Sequence, residues 1–150
     1  MANWTVGLGG TFDHFHAGHE RLLQVAFDIG TKVVIGLASD SLLEHKQYKE
    51  LLQSYEEREE NLKAFARKIG RDADLIIIKL DDPFGPAITD PDIDMHVSSE
   101  ETFSVAQEIN EMRRQNGLKP LILVMIPMVL KDDDVRYSST GIREELARND

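Results

Sequence analysis

Cysteine is absent from the 150 residues of this chain. Without thiols the chain can form neither disulfides nor thiolate metal sites. A chain of this kind suits a reducing compartment, and we expect the protein to be cytoplasmic. The first residues lack the basic segment and apolar core of a signal peptide. No apolar run approaches the roughly 20 residues of a membrane span, so we expect no membrane partner.

Positive charge is also scarce. The chain has 17 Lys and Arg against 27 Asp and Glu, which gives a net charge of −10. A duplex-nucleic-acid binder needs a basic surface, so we expect no nucleic-acid partner. Acidity of this degree is typical of a surface that favours solubility, and a small anionic ligand would need positive groups concentrated at its site. The sequence gives no sign of a protein partner.

Short apolar runs alternate with segments of helical spacing along the whole chain. The runs predict strands, and the segments between them predict helices. We expect strands at 4–8, 32–38, 74–79, 94–97 and 121–126, and helices at 17–29, 54–69, 99–116 and after 138. This alternation predicts one α/β domain over 1–150, with a doubly wound parallel sheet. Ligands of such folds bind at the carboxyl ends of the strands.

Polar and proline-rich stretches predict where the helices begin and where regular structure stops. Ser54 with Glu57 forms a capping-box pattern, and Ser99 is the expected cap of the next helix. Ser39 can cap a turn after the second strand. Two prolines in 82–86 exclude regular structure there, because proline lacks a donor and restricts its neighbour.

The stretch Gly9–His19 (GGTFDHFHAGH) joins the first strand to the first helix. Gly9 and Gly10 tolerate positive φ and let the backbone approach an anion. A helix N-terminus offers unpaired N–H groups and a positive dipole end, which favour phosphate. His16 and His19 are three residues apart, so both can face one point.

This stretch resembles the nucleotidyltransferase superfamily whose hallmark is GxFDxxHxGH, with a Rossmann-like fold. The matching residues are Gly10, Phe12, Asp13, His16, Gly18 and His19. The resemblance implies that His16 and His19 contact nucleotide phosphates. It also assigns nucleotide contacts to the segment of Gly9, Gly10, Thr11 and Phe12. We expect Asp13 to brace the turn through backbone hydrogen bonds and not to bind metal.

A second segment, 137–143 (YSSTGIR), is similar to the ISSTxIR segment of the same superfamily. The resemblance implies that this segment opens a helix beside the ATP phosphates. The residues it assigns to ATP are Ser138, Ser139, Thr140 and Arg143. Tyr137 replaces the usual isoleucine, and Gly141 replaces a residue that is frequently basic.

Three further stretches resemble one branch, the phosphopantetheine adenylyltransferases of archaeal type, which are related to part of the eukaryotic coenzyme A synthase. These stretches are 82–87, 97–102 and 109–121. The resemblance implies transfer of an adenylyl group from ATP to 4′-phosphopantetheine by in-line attack, with no protein nucleophile. His16, Lys46 and His19 are then the catalytic residues, with Lys49 an alternative to Lys46. Mg²⁺ is the expected cofactor, bridging ATP phosphates with no protein side chain assigned as its ligand.

Other functions stay open on the sequence. The acceptor could be flavin mononucleotide, nicotinamide mononucleotide or glycerol 3-phosphate, or the protein could be a non-catalytic nucleotide sensor. His14, His16 and His19 could instead bind zinc, although a zinc site would leave the glycine turn unexplained. The acidic run 132–134 could bind a cation, but such runs are more often solvated loops.

Overall fold

A parallel β-sheet forms the centre of the computed structural model, which describes residues 3–44 and 49–127. Its strands are β1 (Thr5–Gly10), β2 (Lys32–Ala38), β3 (Leu75–Leu80), β4 (Met95–Ser99) and β5 (Ile122–Ile126). They pair in the order β3-β2-β1-β4-β5, and every pairing is parallel. The expected last helix and the 128–137 loop lie outside the described residues.

Helices cover both faces of this sheet. They are α1 (Ala17–Ile29), α2 (Tyr55–Lys68) and α3 (Phe103–Gln115), with short 3-10 helices at Lys49–Leu51, Asp72–Asp74 and Gly85–Ile88. Val6 and Leu8 of β1 pack in one core with α1 and α2. The alternate residues Gly7 and Gly9 face a cavity on the other side, which is lined by α3. Because side chains alternate along a strand, α3 lies on the opposite face. The predicted doubly wound α/β fold is confirmed.

The strand order fixes where a ligand site is expected. From β1 the chain winds outward through β2 to β3, then returns to β4 on the other side of β1. The point where the winding reverses is therefore between β1 and β4. In open α/β sheets the crevice outside the carboxyl ends of the strands at this point holds the ligand. Both the β1–α1 turn and the segment after β4 leave the sheet there.

Of the three serines expected to cap a helix or a turn, the structure confirms two. Ser54 is confirmed as the N-cap of α2, because its hydroxyl accepts the N–H of Glu57 at 3.2 Å. Ser39 is confirmed as the cap of a turn, accepting the N–H of Leu42 at 3.1 Å. The expectation that Ser99 caps a helix is wrong. Ser99 still pairs with Ile126 in the sheet, so α3 begins only after Thr102.

The segment 82–86 is more ordered than its prolines predicted. Gly85–Ile88 forms a 3-10 helix with Pro86 in its first turn. Proline is tolerated there because the first N–H groups of a helix need no partner within it. Asp82 stabilises the turn by accepting the N–H groups of Gly85 and Phe84, and these bonds lower the pKa of its carboxyl.

Among the described residues, no helix is long and apolar enough to cross a membrane.

Candidate functional site

The turn between β1 and α1 is built differently from the glycine turn that the sequence predicted. Gly9 and Gly10 belong to β1, and neither has a positive φ. The left-handed positions are Phe12 (φ 51°) and His14 (φ 47°). Bulky residues in this region cost about 1–3 kcal/mol each, so the surrounding packing must hold them there. Strained backbone conformations of this kind are common at ligand-binding sites.

Phe12 is held by the core. Its side chain is only 3% exposed, and its ring centroid lies 5.4 Å from that of His19. A Cβ added to Gly10 would lie 3.3 Å from the Phe12 ring, so glycine leaves room for this ring. A nucleotide contact at Phe12 can therefore come only from its backbone, while its ring supports His19.

The two histidines of the motif cap α1 together. His16 is the N-cap residue, and its Nδ1 accepts the N–H of Gly18 at 3.0 Å. Three residues on, Nδ1 of His19 accepts the backbone N–H of His16 at 3.3 Å. This is the reciprocal pattern of a capping box, made here by two imidazoles in place of the usual Ser or Thr and Glu or Gln. It uses one nitrogen of each ring.

The capping bonds determine the protonation of both rings. A nitrogen that accepts an N–H cannot carry a proton, so each neutral imidazole has its proton on Nε2. The rings are stacked, with centroids 3.8 Å apart and planes 22° apart. Burial, with the nearby His16 as a second cause, lowers the pKa of His19 from 6.5 to about 3. His19 is thus a neutral donor at physiological pH.

This arrangement is suited to phosphate. Two Nε2–H donors sit at the N-terminus of a 13-residue helix, whose dipole adds partial positive charge. Hydrogen bonds from neutral donors to phosphate oxygens are charge-assisted by the anion. The attraction therefore needs no cationic imidazole.

The segment before α2 is tied to this turn by three hydrogen bonds. Asp13, completely buried, accepts the N–H of Gln53 at 2.8 Å. His14 donates its own N–H to the Gln53 side chain at 3.0 Å, and its ring Nε2 lies 2.9 Å from the carbonyl of Leu51. The expectation that Asp13 braces the turn through a backbone hydrogen bond is confirmed. Leu51 is thereby held beside the turn, and it follows Lys46 by five residues in the sequence.

The zinc alternative finds no support in this geometry. The His14 ring is bonded to Leu51, while His16 and His19 stack on each other and cap the helix. Within residues 3–44 and 49–127, no group of three or more His, Cys, Asp or Glu side chains could hold a metal ion.

Arg58 is a part of the site that sequence reasoning missed. Its side chain is fully buried at the end of the sheet. Nη1 donates to the carbonyls of Thr11 at 3.0 Å and Ala38 at 2.8 Å, and Nε donates to Gln53 at 3.1 Å. Nη2 pairs with Asp40 at 2.9 Å. One guanidinium thus joins the β1–α1 turn, the end of β2 and the start of α2.

A signal for Arg58 was present in the sequence. The apolar stripe of α2 contains Leu62, Phe65 and Ala66, and Arg58 lies one turn before Leu62 on the same stripe. A charged residue at a core position of an amphipathic helix indicates a buried, fully paired charge.

Comparison with known proteins identifies the family to which this chain belongs. A family model described as cytidylyltransferase-like matches residues 8–145. Over 141 residues the chain is 41% identical to the phosphopantetheine adenylyltransferase of Methanopyrus kandleri, covering 94% of this chain and 89% of that one. For the phosphopantetheine adenylyltransferase of Methanothermobacter thermautotrophicus the identity is 44% over 138 residues, with coverages of 92% and 82%. The chain belongs to the cytidylyltransferase-like family, in its phosphopantetheine adenylyltransferase branch.

A solved structure supports the fold of this family member. A protein of unknown function from Archaeoglobus fulgidus superposes with a TM-score of 0.74 at 27% identity, over 89% of this chain and 99% of that one. The match extends over nearly all of both chains. The arrangement of sheet and helices described above therefore also occurs in a solved structure.

The described residues contain half of the site expected for this cytidylyltransferase-like protein. Gly9, Gly10, Thr11, Phe12, His16 and His19 lie together at the carboxyl end of β1 and the start of α1. Lys46 lies outside the described residues, and for Lys49 only the backbone is described. The segment from Ser138 to Arg143, with Ser139 and Thr140, also lies outside them. Their assignment to ATP stays a prediction.

Proposed function

We propose that this protein transfers the adenylyl group of ATP to 4′-phosphopantetheine, giving dephospho-coenzyme A and pyrophosphate. The observation that carries the proposal is the stacked pair His16–His19, which caps α1 with Nδ1 and carries its protons on Nε2. The similarity to archaeal phosphopantetheine adenylyltransferases supports the choice of acceptor. The proposed site of action is the cytoplasm, which the cysteine-free sequence suits.

The reaction needs no nucleophile from the protein. An oxygen of the acceptor phosphate forms a bond to the α-phosphorus of ATP. The bond from that phosphorus to the oxygen bridging to the β-phosphate breaks, and its electron pair leaves with pyrophosphate. A phosphate monoester is ionised near neutral pH. The protein therefore acts by positioning the substrates and stabilising charge.

His16 and His19 have separate tasks in this proposal. His16 donates to an oxygen of the α-phosphate, where negative charge increases in the transition state. His19 donates to the departing pyrophosphate, and the backbone of Gly9, Gly10 and Thr11 lies along the nucleotide. A donor aimed at developing charge contributes about 3–4 kcal/mol. Orientation of the two substrates can contribute about 7–11 kcal/mol.

The cationic part of the proposed site comes from the resemblance to the family. Lys46 is proposed at the transferring phosphate, and the anchoring of Leu51 to His14 supports its nearness to the turn. Lys49 remains the alternative. The residues proposed around the β- and γ-phosphates are Ser138, Ser139, Thr140 and Arg143.

Mg²⁺ is proposed to arrive with ATP. It prefers oxygen ligands and keeps several waters, so phosphates can supply most of its contacts. The one buried carboxylate at the turn, Asp13, accepts a backbone N–H. These observations fit an ion held mainly by the substrate. When bound, Mg²⁺ would neutralise charge on the phosphates.

A pyrophosphate-release assay tests the function directly. Purified protein is given ATP and Mg²⁺ with 4′-phosphopantetheine, flavin mononucleotide, nicotinamide mononucleotide or glycerol 3-phosphate, each in a separate reaction. We expect release with 4′-phosphopantetheine and background release with the others. Preference for another acceptor would overturn the proposed substrate. Binding of ATP without release in any reaction would indicate a sensor.

A further inference from the structure

A cavity of about 390 Å³ opens beside the β1–α1 turn, on the α3 side of the sheet. Gly7, Gly9 and Gly36 line it from the sheet, and their missing side chains leave room for Ile93 over Gly7 and for Leu80 over Gly36. Aliphatic groups line most of the rest, including Leu80 from β3 and Ile109 from α3. The cavity extends from Thr11, next to the proposed phosphate site, into the interior.

One buried imidazole lines this apolar space. His96 pairs with Gly7 in the sheet and is 7% exposed. Its Nδ1 is buried and has no hydrogen-bond partner among the described residues. Burial lowers the pKa of His96 from 6.5 to about 4, so the ring is neutral near pH 7. A buried polar atom without a partner destabilises a fold, and an aliphatic residue would fill this strand position better.

We propose that this cavity binds the uncharged tail of the phosphorylated acceptor and that His96 Nδ1 forms a hydrogen bond with an amide of that tail. His96 is then a specificity-determining residue. The inference rests on the proposed function and extends it, because it names the group that recognises the acceptor away from its phosphate.

The position and chemistry of the cavity support this assignment. The acceptor phosphate must lie near the start of α1, and the cavity begins at Thr11 on the same turn. Its aliphatic walls suit methylene and methyl groups, and they would leave the hydroxyls of a ribosyl or ribityl acceptor without partners. A neutral imidazole can donate to or accept from an amide. An aliphatic chain with internal amides, such as pantetheine, meets both conditions.

Steady-state kinetics with three variants tests the role of His96. In His96→Leu the hydrogen bond is lost, so we expect the KM for 4′-phosphopantetheine to rise roughly ten- to a hundredfold, with the KM for ATP within about twofold of wild type. Asn can place a polar atom near the Nδ1 position, so His96→Asn should recover most of this loss.

Ser98→Ala is the matched control. Ser98 lies on the same face of β4, and its buried hydroxyl also has no partner within the described part of the chain, but it does not line the cavity. An acceptor KM for His96→Leu equal to that of wild type would overturn the assignment.

Calorimetric titration with pantetheine, which lacks the phosphate and cannot react, gives a second test on the wild-type protein. We expect pantetheine to bind, and binding to change the ¹⁵N shift of one histidine Nδ1 that is missing from the His96→Asn spectrum. Binding without turnover of 4′-phosphopantetheine would overturn the proposed reaction and retain the cavity assignment. Turnover with no binding of pantetheine to the cavity would overturn the cavity assignment alone.

Discussion

Each histidine of the HxGH motif caps α1 with one ring nitrogen, and in the proposed function its other ring nitrogen binds phosphate. Nδ1 of His16 and of His19 satisfies backbone N–H groups at the start of α1. The same bonds put the proton on Nε2, where a phosphate oxygen can accept it. The tautomer is therefore fixed by the helix itself and does not depend on the ligand.

Substitutions at His16 can separate these two contributions. Asn places its amide oxygen where Nδ1 lies and is a strong N-cap, but it has no counterpart of Nε2. We expect His16→Asn to keep the free energy of unfolding within about 0.5 kcal/mol of wild type. Its kcat for pyrophosphate release should still fall about 100- to 1,000-fold.

His16→Ala is the companion variant. It loses the same catalytic donor and also the cap, so its kcat should fall equally and its stability by about 1 kcal/mol. Urea unfolding and initial-rate kinetics on both variants provide the measurement. Normal turnover in His16→Asn would remove Nε2 from the mechanism.

The elements of the fold were largely predictable, and the exceptions have physical causes. Apolar runs and helical stripes located the described strands and helices within about two residues at most ends. Ser99 was misassigned because its sheet pairing with Ile126 prevails over its tendency to cap a helix. The positive φ values fell on Phe12 and His14 because tertiary contacts, which sequence propensity does not contain, hold them there: core packing holds Phe12, and hydrogen bonds to Gln53 and Leu51 hold His14. The same limit applies to His96, because residues from all five strands except β5, from α3 and from the 3-10 helix Gly85–Ile88 line its cavity.

At the level of elements, Arg58 is the main link between the site and the scaffold. It donates to carbonyls from the β1–α1 turn, β2 and the segment before α2. We expect Arg58→Met to lower the free energy of unfolding by about 3 kcal/mol or more, because several buried acceptors lose their donor. The turn should also lose its alignment, so kcat/KM for ATP should fall at temperatures where the variant is folded.

The matched control for Arg58 lies on the same helix. Arg67 pairs with Glu60 on the surface, and its side chain is 51% exposed. Arg67→Met should change stability by no more than about 0.5 kcal/mol and leave the kinetics unchanged. Equal effects of the two substitutions would show that Arg58 has no special role at the site.

For the molecule as a whole, buried neutral histidines make stability depend on pH. The folded pKa of His19 is about 3 and that of His96 about 4, against 6.5 when unfolded. Between pH 6.5 and 4 the unfolded chain therefore binds more protons than the native protein. The native state loses relative stability as the pH falls through this window, by up to about 1.4 kcal/mol per pH unit for each histidine.

Urea unfolding of wild type, His19→Asn and His96→Leu at pH 7.0, 6.0, 5.5 and 4.5 tests this dependence. We expect the free energy of unfolding of wild type to fall steadily with acidification, and each variant to show a shallower slope because one titrating group is gone. Ser98→Ala removes a buried polar group that does not titrate, so it should keep the wild-type slope. The sequence pI is about 4.9, so protein concentration must be kept low near that pH. A wild-type slope retained in both histidine variants would show that neither ring is held neutral by the fold.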